Sequence, residues 1–287
     1  MKDINPQQVS INCDDGVTLY GTIYTPLNEL KAAVLVGPAT GIKRQFYSNF
    51  AQFLCRQGFA VMTFDNRGIG QSLQGSVKHN TASIVCWGEK DLPAALKFLK
   101  VTFPTAQYHL VGHSAGGQLI GLMPNARDFT SFFNIACSSG SLRNMKIPFW
   151  FQAHFFMNLF IPLSNLIFGH TRSELVGMGE PLPKRVAQQW RKWCNGRGYV
   201  KTEFGKAIKT HFYDDISIPS MWVNAIDDPI ANDKNVSDMI SVYSNTRYQT
   251  LTLDPKENGL KEIGHMKFFS KRSQALWQHV IDWLEKF

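Results

Sequence analysis

The run Gly112-His113-Ser114-Ala115-Gly116-Gly117 constrains this chain more than any other stretch. It follows the apolar segment Tyr108-His109-Leu110-Val111 and precedes Gln118-Leu119-Ile120-Gly121-Leu122-Met123, so it reads as a strand, a sharp turn and a helix. A Gly-x-Ser-x-Gly turn in that setting holds its serine at the tip of a strained backbone, and the flanking positions must be small. The helix N-terminus behind it aims amide N–H groups and the positive end of a dipole at the serine oxygen.

The rest of the chain supplies strands and helices in alternation. Residues 8–12 and 17–24, joined by Asp14-Asp15-Gly16, read as an N-terminal antiparallel hairpin. Residues 31–36 and 59–64 are short apolar runs of the kind buried on both sheet faces. A helix is expected over 45–57, with Phe46, Phe50, Phe53 and Leu54 at helical spacing, and another over 87–101. Further strands are expected at 131–137, 220–225 and 247–253, and a last helix at 270–286. This pattern predicts an α/β fold with a mostly parallel central sheet and helices on both faces.

The alternation stops between residues 141 and 212. The expected division is therefore a core of residues 1–140 and 213–287 with a helical lid insertion, 141–212. Residues 147–168 are rich in large apolar side chains, but Gln152, His154, Asn158, Asn165 and two prolines interrupt them, which favours a lid over an apolar pocket to a membrane span. His154 reads as a satisfied buried histidine. Residues 184–209 are basic, with Glu203 the only acid, and suggest weak contact with an anionic membrane surface.

Composition narrows the function classes. With 44% hydrophobic and 18% charged residues the chain is expected to fold. Its formal charge of +8 is not gathered into a lysine/arginine run, so nucleic acid is not an expected partner. Five widely spaced cysteines without a Cys-x-x-Cys suggest neither a disulfide framework nor a zinc site. Reduced thiols and an N-terminus without an apolar leader point to a cytoplasmic location, and neither metal nor cofactor is expected.

An activated serine needs a base, and the base needs an orienting carboxylate. Ser114 after one strand, Asp227-Asp228 after a later one and His265 after the last supply these groups in the chain order Ser, Asp, His. His113 reads as a packing residue of the turn.

With these motifs spread over nearly its whole length, the chain resembles the α/β-hydrolase superfamily. Gly112 to Gly116 match its nucleophile elbow, Asp65-x-Arg67-Gly68-x-Gly70-x-Ser72 the motif after the preceding strand, and Gly264-His265 its histidine loop. More narrowly, Pro38-Ala39-Thr40-Gly41, Asn224-Ala225-Ile226-Asp227-Asp228-Pro229 and Gln189-Trp190-x-x-Trp193-Cys194 resemble a bacterial group of α/β-hydrolases of unsettled function. The resemblance implies Ser114 as nucleophile and His265 as base. Its small-x-x-Asp spacing from Ala225 selects Asp228 as the acid, with Asp227 the alternative. Asp65 and Arg67 are expected to fix the loop beneath the site.

One departure concerns the loop after the third strand, where the family usually carries His-Gly and this chain has Pro38-Ala39. Pro38 has no N–H to offer an oxyanion. Thr40 is the expected donor, Ala39 the alternative, and Ala115 the second donor. The implied activity is hydrolysis of an ester or thioester, and less readily an amide, with an apolar acyl portion, through an acyl-enzyme. The alternatives are an acyltransferase on the same residues and a non-catalytic protein that binds an apolar ligand. The expected partner is a small acyl substrate.

Overall fold

The computed structural model describes residues 5–287. Among them, ten strands occur: β1 (Gln7–Asn12), β2 (Thr18–Tyr24), β3 (Ala32–Gly37), β4 (Phe59–Phe64), β5 (Tyr108–His113), β6 (Ser131–Ile135), the two-residue β7 (His170–Thr171) and β8 (Leu182–Pro183), β9 (Pro219–Ala225) and β10 (Arg247–Leu253). Eight of them form one sheet in the order β1-β2-β4-β3-β5-β6-β9-β10. β2 runs antiparallel to β1 and β4, and the pairs from β4 through to β10 are parallel. The four central strands, β3 to β6, are buried along their whole length; β3 is apolar throughout, while β4 to β6 also bury Thr63, His109, His113, Ser131 and Asn134. The mostly parallel sheet with its connecting helices is the α/β architecture expected from the alternation of strands and helices.

The strand ends matter most here. Gly37 of β3 is paired with Gly112 of β5. A Cβ on Gly116, two residues past Ser114, would fall 2.0 Å from the Gly37 carbonyl oxygen. Backbone thus touches backbone at this point, and only glycine permits it. The contact sets the loop Pro38 to Gly41 beside the turn that carries Ser114.

Three helical segments depart from a plain, continuous α-helix. The helix after Ser114 runs only from Ala115 to Gln118. The hydroxyls of Tyr213 and Tyr243 donate to the Gln118 carbonyl at 2.7 and 3.0 Å, taking the acceptor that another turn would use. The helix expected over 87–101 starts earlier, at Ile84, and passes through a π turn at Trp87–Asp91 before Leu92–Thr102. That π turn carries Asp91, whose carboxylate accepts from Arg67 Nε at 2.5 Å. In the third case, Phe149–Phe168 is one helix despite its proline. Pro162 follows a π turn at Phe156–Phe160, which relieves the clash and the missing donor of a mid-helix proline.

This long helix and the helix Lys184–Asn195 lie between β6 and β9 and pack on each other, with Asn158 Nδ2 donating to Asn195 Oδ1 at 3.1 Å. The Gln189-Trp190-x-x-Trp193-Cys194 segment divides its work among its residues. Gln189 Oε1 accepts the N–H groups of Ile84 and Val85 at 2.8 and 3.3 Å, tying the helix to the body of the protein. Trp193 is fully buried and meets Tyr199 edge-on at 5.1 Å, while Trp190 and Cys194 face a cavity. His154 differs from expectation in being only half-buried; its ring meets that of Trp150 at 4.1 Å and a tilt of 41°, and it is hydrogen-bonded to Asn158.

Candidate active site

Ser114 follows β5, Asp228 follows β9, His265 follows β10 and Thr40 follows β3, so all four stand at the carboxyl edge of the sheet. Ser114 has φ 49° and ψ −113°, a conformation that side chains rarely adopt. Its N–H is held by the Ile135 carbonyl at 2.9 Å, and its own carbonyl accepts the N–H groups of Gly117 and Gln118, both at 3.1 Å. The turn is thereby fixed from both sides.

Three side chains come together here. His265 Nε2 lies 3.2 Å from Ser114 Oγ, and His265 Nδ1 lies 2.8 Å from Asp228 Oδ2. The other oxygen of Asp228 accepts the N–H groups of Ile230 and Ala231 at 2.8 and 2.9 Å. Burial opposes ionisation of Asp228, but His265 and these two amides outweigh it, and the carboxyl stays below its usual range. Asp227, the alternative acid, points elsewhere. Its carboxylate accepts the N–H groups of Ile263 and Gly264 at 3.0 and 2.9 Å.

The loop at Pro38 to Gly41 is organised by a residue whose role could not be read from the sequence. Ala39 N–H donates to the Tyr47 hydroxyl at 2.9 Å, so this amide is already engaged. Among the described residues the N–H groups of Thr40 and Ala115 have no protein partner. Tyr47 Oη in turn lies 2.9 Å from His113 Nδ1, and His113 Nε2 lies 2.9 Å from the carbonyl oxygen of His265. A carbonyl only accepts, so Nε2 carries the proton. Burial pushes His113 down to about 3, so the ring is neutral and Nδ1 is the acceptor for Tyr47 O–H. One directed chain therefore joins the Ala39 amide, Tyr47, His113 and the backbone of His265. His113 does more than pack the turn.

Asp65 and Arg67 are both buried in ion pairs. Asp65 forms a buried ion pair with Arg44 and accepts its N–H at 2.7 Å, which anchors the chain just past the Thr40 loop. Arg67 bridges Asp91 and Asp15, at 2.5 and 2.6 Å. Among the described residues, His, Cys, Asp and Glu side chains form no cluster suited to a metal ion, and the five cysteines are unpaired.

Ser114 and His265 open into a cavity of about 690 Å³. Its walls are mainly apolar and include Met145, Phe149, Phe156, Met157, Met178 and Trp190, and Thr40 stands on its rim with Ser114. Gln118 and Tyr199, also on the wall, are hydrogen-bonded to each other at 2.8 Å. Among the described residues that line it, none is Asp, Glu, Lys or Arg. The cavity suits a neutral apolar group placed next to a hydroxyl, an imidazole and two open amides.

The model of the hydrolase family described as "Serine aminopeptidase, S33" matches residues 28–172. The chain belongs to this family of α/β-hydrolases. Among curated proteins, a monoacylglycerol lipase ABHD2 of Danio rerio is 20% identical over 303 residues, covering 95% of this chain and 66% of that protein. This chain thus spans slightly under two thirds of that relative's length. Among solved structures, a soluble variant of monoglyceride lipase from Saccharomyces cerevisiae has a TM-score of 0.71 at 14% identity, covering 99% of this chain and 96% of that one. A thermostable carboxyl esterase from Bacillus coagulans has a TM-score of 0.67 at 14% identity, with 99% of both chains covered. At such identities these structures speak for the fold alone.

Proposed function

We propose that the protein is a serine hydrolase that cleaves carboxylic esters of apolar acyl groups. The observation that carries this reading is the hydrogen-bonded sequence Ser114, His265, Asp228 at the wall of a mainly apolar cavity. In the proposed reaction Ser114 Oγ attacks the ester carbonyl as His265 Nε2 takes its proton. Asp228 holds the imidazole by Nδ1 and stabilises the positive charge it gains. The N–H groups of Thr40 and Ala115 receive the oxyanion. His265 returns the proton to the departing alcohol, and water then releases the acid from Ser114.

Esters rank before peptides. A peptide N-terminus brings an ammonium group that needs an acidic partner, and none of the described lining residues is acidic. Esters also rank before amides, because an alkoxide leaves more readily than an amine anion. The monoacylglycerol lipases among the relatives make glycerol monoesters the first substrates to try. In this reading the 141–212 insertion, which supplies Trp190, Phe156 and Met178 to the cavity wall, serves as its lid.

The deciding experiment treats purified protein with a fluorophosphonate and maps the adduct, then runs a panel of esters and thioesters against wild type and Ser114→Ala. An adduct on Ser114, with turnover lost in Ser114→Ala, is the expected result. Folded protein that neither reacts at Ser114 nor turns over any member of the panel would overturn the proposal.

A further inference from the structure

The helix Phe149–Phe168 is long and apolar enough to cross a membrane by length and composition, yet only 28% of its most apolar window is buried. What it exposes is ordered. Phe151, Phe155, Leu159 and Leu163 recur every four residues, and Leu166 and Ile167 continue the line with exposures of 80% and 67%. Residues spaced in this way share one face of a helix. Soluble surfaces seldom leave so continuous an apolar stripe open to water.

Polar bonds hold the opposite face to the protein. Asn158 bonds Asn195, Ser164 Oγ donates to the His170 carbonyl at 3.0 Å, and Asn165 Oδ1 accepts from Thr171 at 2.9 Å. A helix tethered like this cannot pass through a bilayer without breaking those bonds and uncovering its buried side. It can lie in the plane of an interface.

Charge and the position of the cavity select the occupant. The sequence holds no acidic residue between Asp128 and Glu174. Exposed Lys146 stands at the start of the helix, and the Lys78 side chain lies over Gly169 at its end, where a Cβ would meet Lys78 Cγ at 2.8 Å. Phe151 and Phe155 are exposed and also line the cavity, so the mouth opens on the same face as the stripe. A second copy of the chain seated there would close that mouth, whereas lipid would fill it with apolar chains.

We propose that this face seats the protein on a phospholipid bilayer bearing anionic headgroups, with the helix in the interface plane and the cavity mouth against the lipid. The proposed contact centres on the apolar helix, and part of the basic stretch 184–209 is engaged within the protein. Lys192 there pairs with Glu203 at 2.6 Å, and Lys206 and Lys209 donate to backbone carbonyls of their own segment. The proposal goes beyond the hydrolase reading and does not depend on it, because binding is read without turnover.

The test is co-sedimentation with vesicles of phosphatidylcholine alone and of three parts phosphatidylcholine to one part phosphatidylglycerol. The proteins are wild type, a variant with Leu159, Leu163, Leu166 and Ile167 changed to serine, and Lys78→Gln/Lys146→Gln. Thermal melting confirms that each is folded. Wild type is expected to bind the anionic vesicles. The serine variant should partition more than about tenfold more weakly. The lysine variant should lose roughly fivefold or more on anionic vesicles only, and part of its salt dependence. Folded wild type that binds neither vesicle, or a serine variant that binds as wild type does, would overturn the proposal. So would a concentration-dependent dimer, abolished in the serine variant, in a protein that ignores vesicles, because that result assigns the face to a second copy.

Discussion

Asp227 and Asp228 are neighbours in sequence and hold the same loop by different parts. Asp228 binds the imidazole of His265 at 2.8 Å, while Asp227 binds the backbone N–H groups of Ile263 and Gly264, which precede it. One carboxylate sets the ring and the other sets the chain that bears it. Asp228→Asn should therefore lower kcat by about 10³ to 10⁴, since an amide cannot stabilise the imidazolium and can impose the wrong tautomer. Asp227→Ala leaves the ring's partner in place and only loosens its support, so a fall of roughly tenfold in kcat is expected. Steady-state kinetics on one soluble ester compares them. A larger loss from Asp227→Ala than from Asp228→Asn would reverse the assignment.

Tyr47 links the Thr40 loop to the His265 loop through His113. Tyr47→Phe removes the acceptor of the Ala39 amide and the donor to His113 Nδ1 in a buried place. The expected cost is about 1–3 kcal/mol of stability. The kinetic effect should be separate: kcat is expected to fall by roughly tenfold to a hundredfold with KM little changed, as the Thr40 amide shifts away from the oxyanion. Activity per folded molecule separates the two. A Tyr47→Phe protein that melts lower but keeps full kcat would mean that the link is structural only.

Two buried histidines are expected to make stability fall in acid. Burial pushes His113 to about 3 and His109 to about 4, against about 6.5 for a histidine in an unfolded chain. Unfolding therefore takes up protons below about pH 6.5, so this stability is complete above that pH and is lost as pH falls toward the folded values. Each histidine contributes a slope of about 1.4 kcal/mol per pH unit in that window. Denaturant unfolding from pH 6 to pH 4.5 should show a slope for His109→Gln smaller than wild type by about that amount. Equal slopes would mean that His109 is not held neutral.

The cavity should select for chain length. Each added methylene that leaves water is worth about 0.8 kcal/mol, or roughly fourfold in kcat/KM, until the 690 Å³ space is filled. Ala153 is buried on the cavity wall, and Ala153→Phe would occupy part of that space. In a series of acyl esters its optimum should move to shorter chains, with kcat/KM for long chains down by more than about tenfold and for the shortest nearly unchanged. A uniform fall across the series would place the acyl chain elsewhere.

Much of this was legible in the sequence, for reasons specific to particular residues. The strands β3 and β4 announce themselves because burial on both faces favours a nearly continuous apolar run. Gly112 and Gly116 mark the turn because the backbone of Gly37 and Gly117 leaves no room for a Cβ. Ser114, Asp228 and His265 could be named as candidates from their order after successive strands. Other features have no local signal. Nothing near Pro162 shows that a π turn will absorb it, since that depends on the helix packing against its neighbour. Tyr47 and His113 are a tyrosine and a histidine among many until the fold brings them to 2.9 Å.

The sequence by itself determined the strand order along the chain, the strained serine turn and the set of candidate side chains, because each is written in local periodicity or in residues too small to be replaced. Only the tertiary structure put Asp228 on the His265 ring and Asp227 on the backbone before it, engaged the Ala39 amide while leaving that of Thr40 open, and left one face of the Phe149–Phe168 helix in water. Those choices turn on hydrogen bonds between residues far apart in the chain and on which helix face finds a partner. Hydrogen-bond direction and burial arise only when distant segments meet.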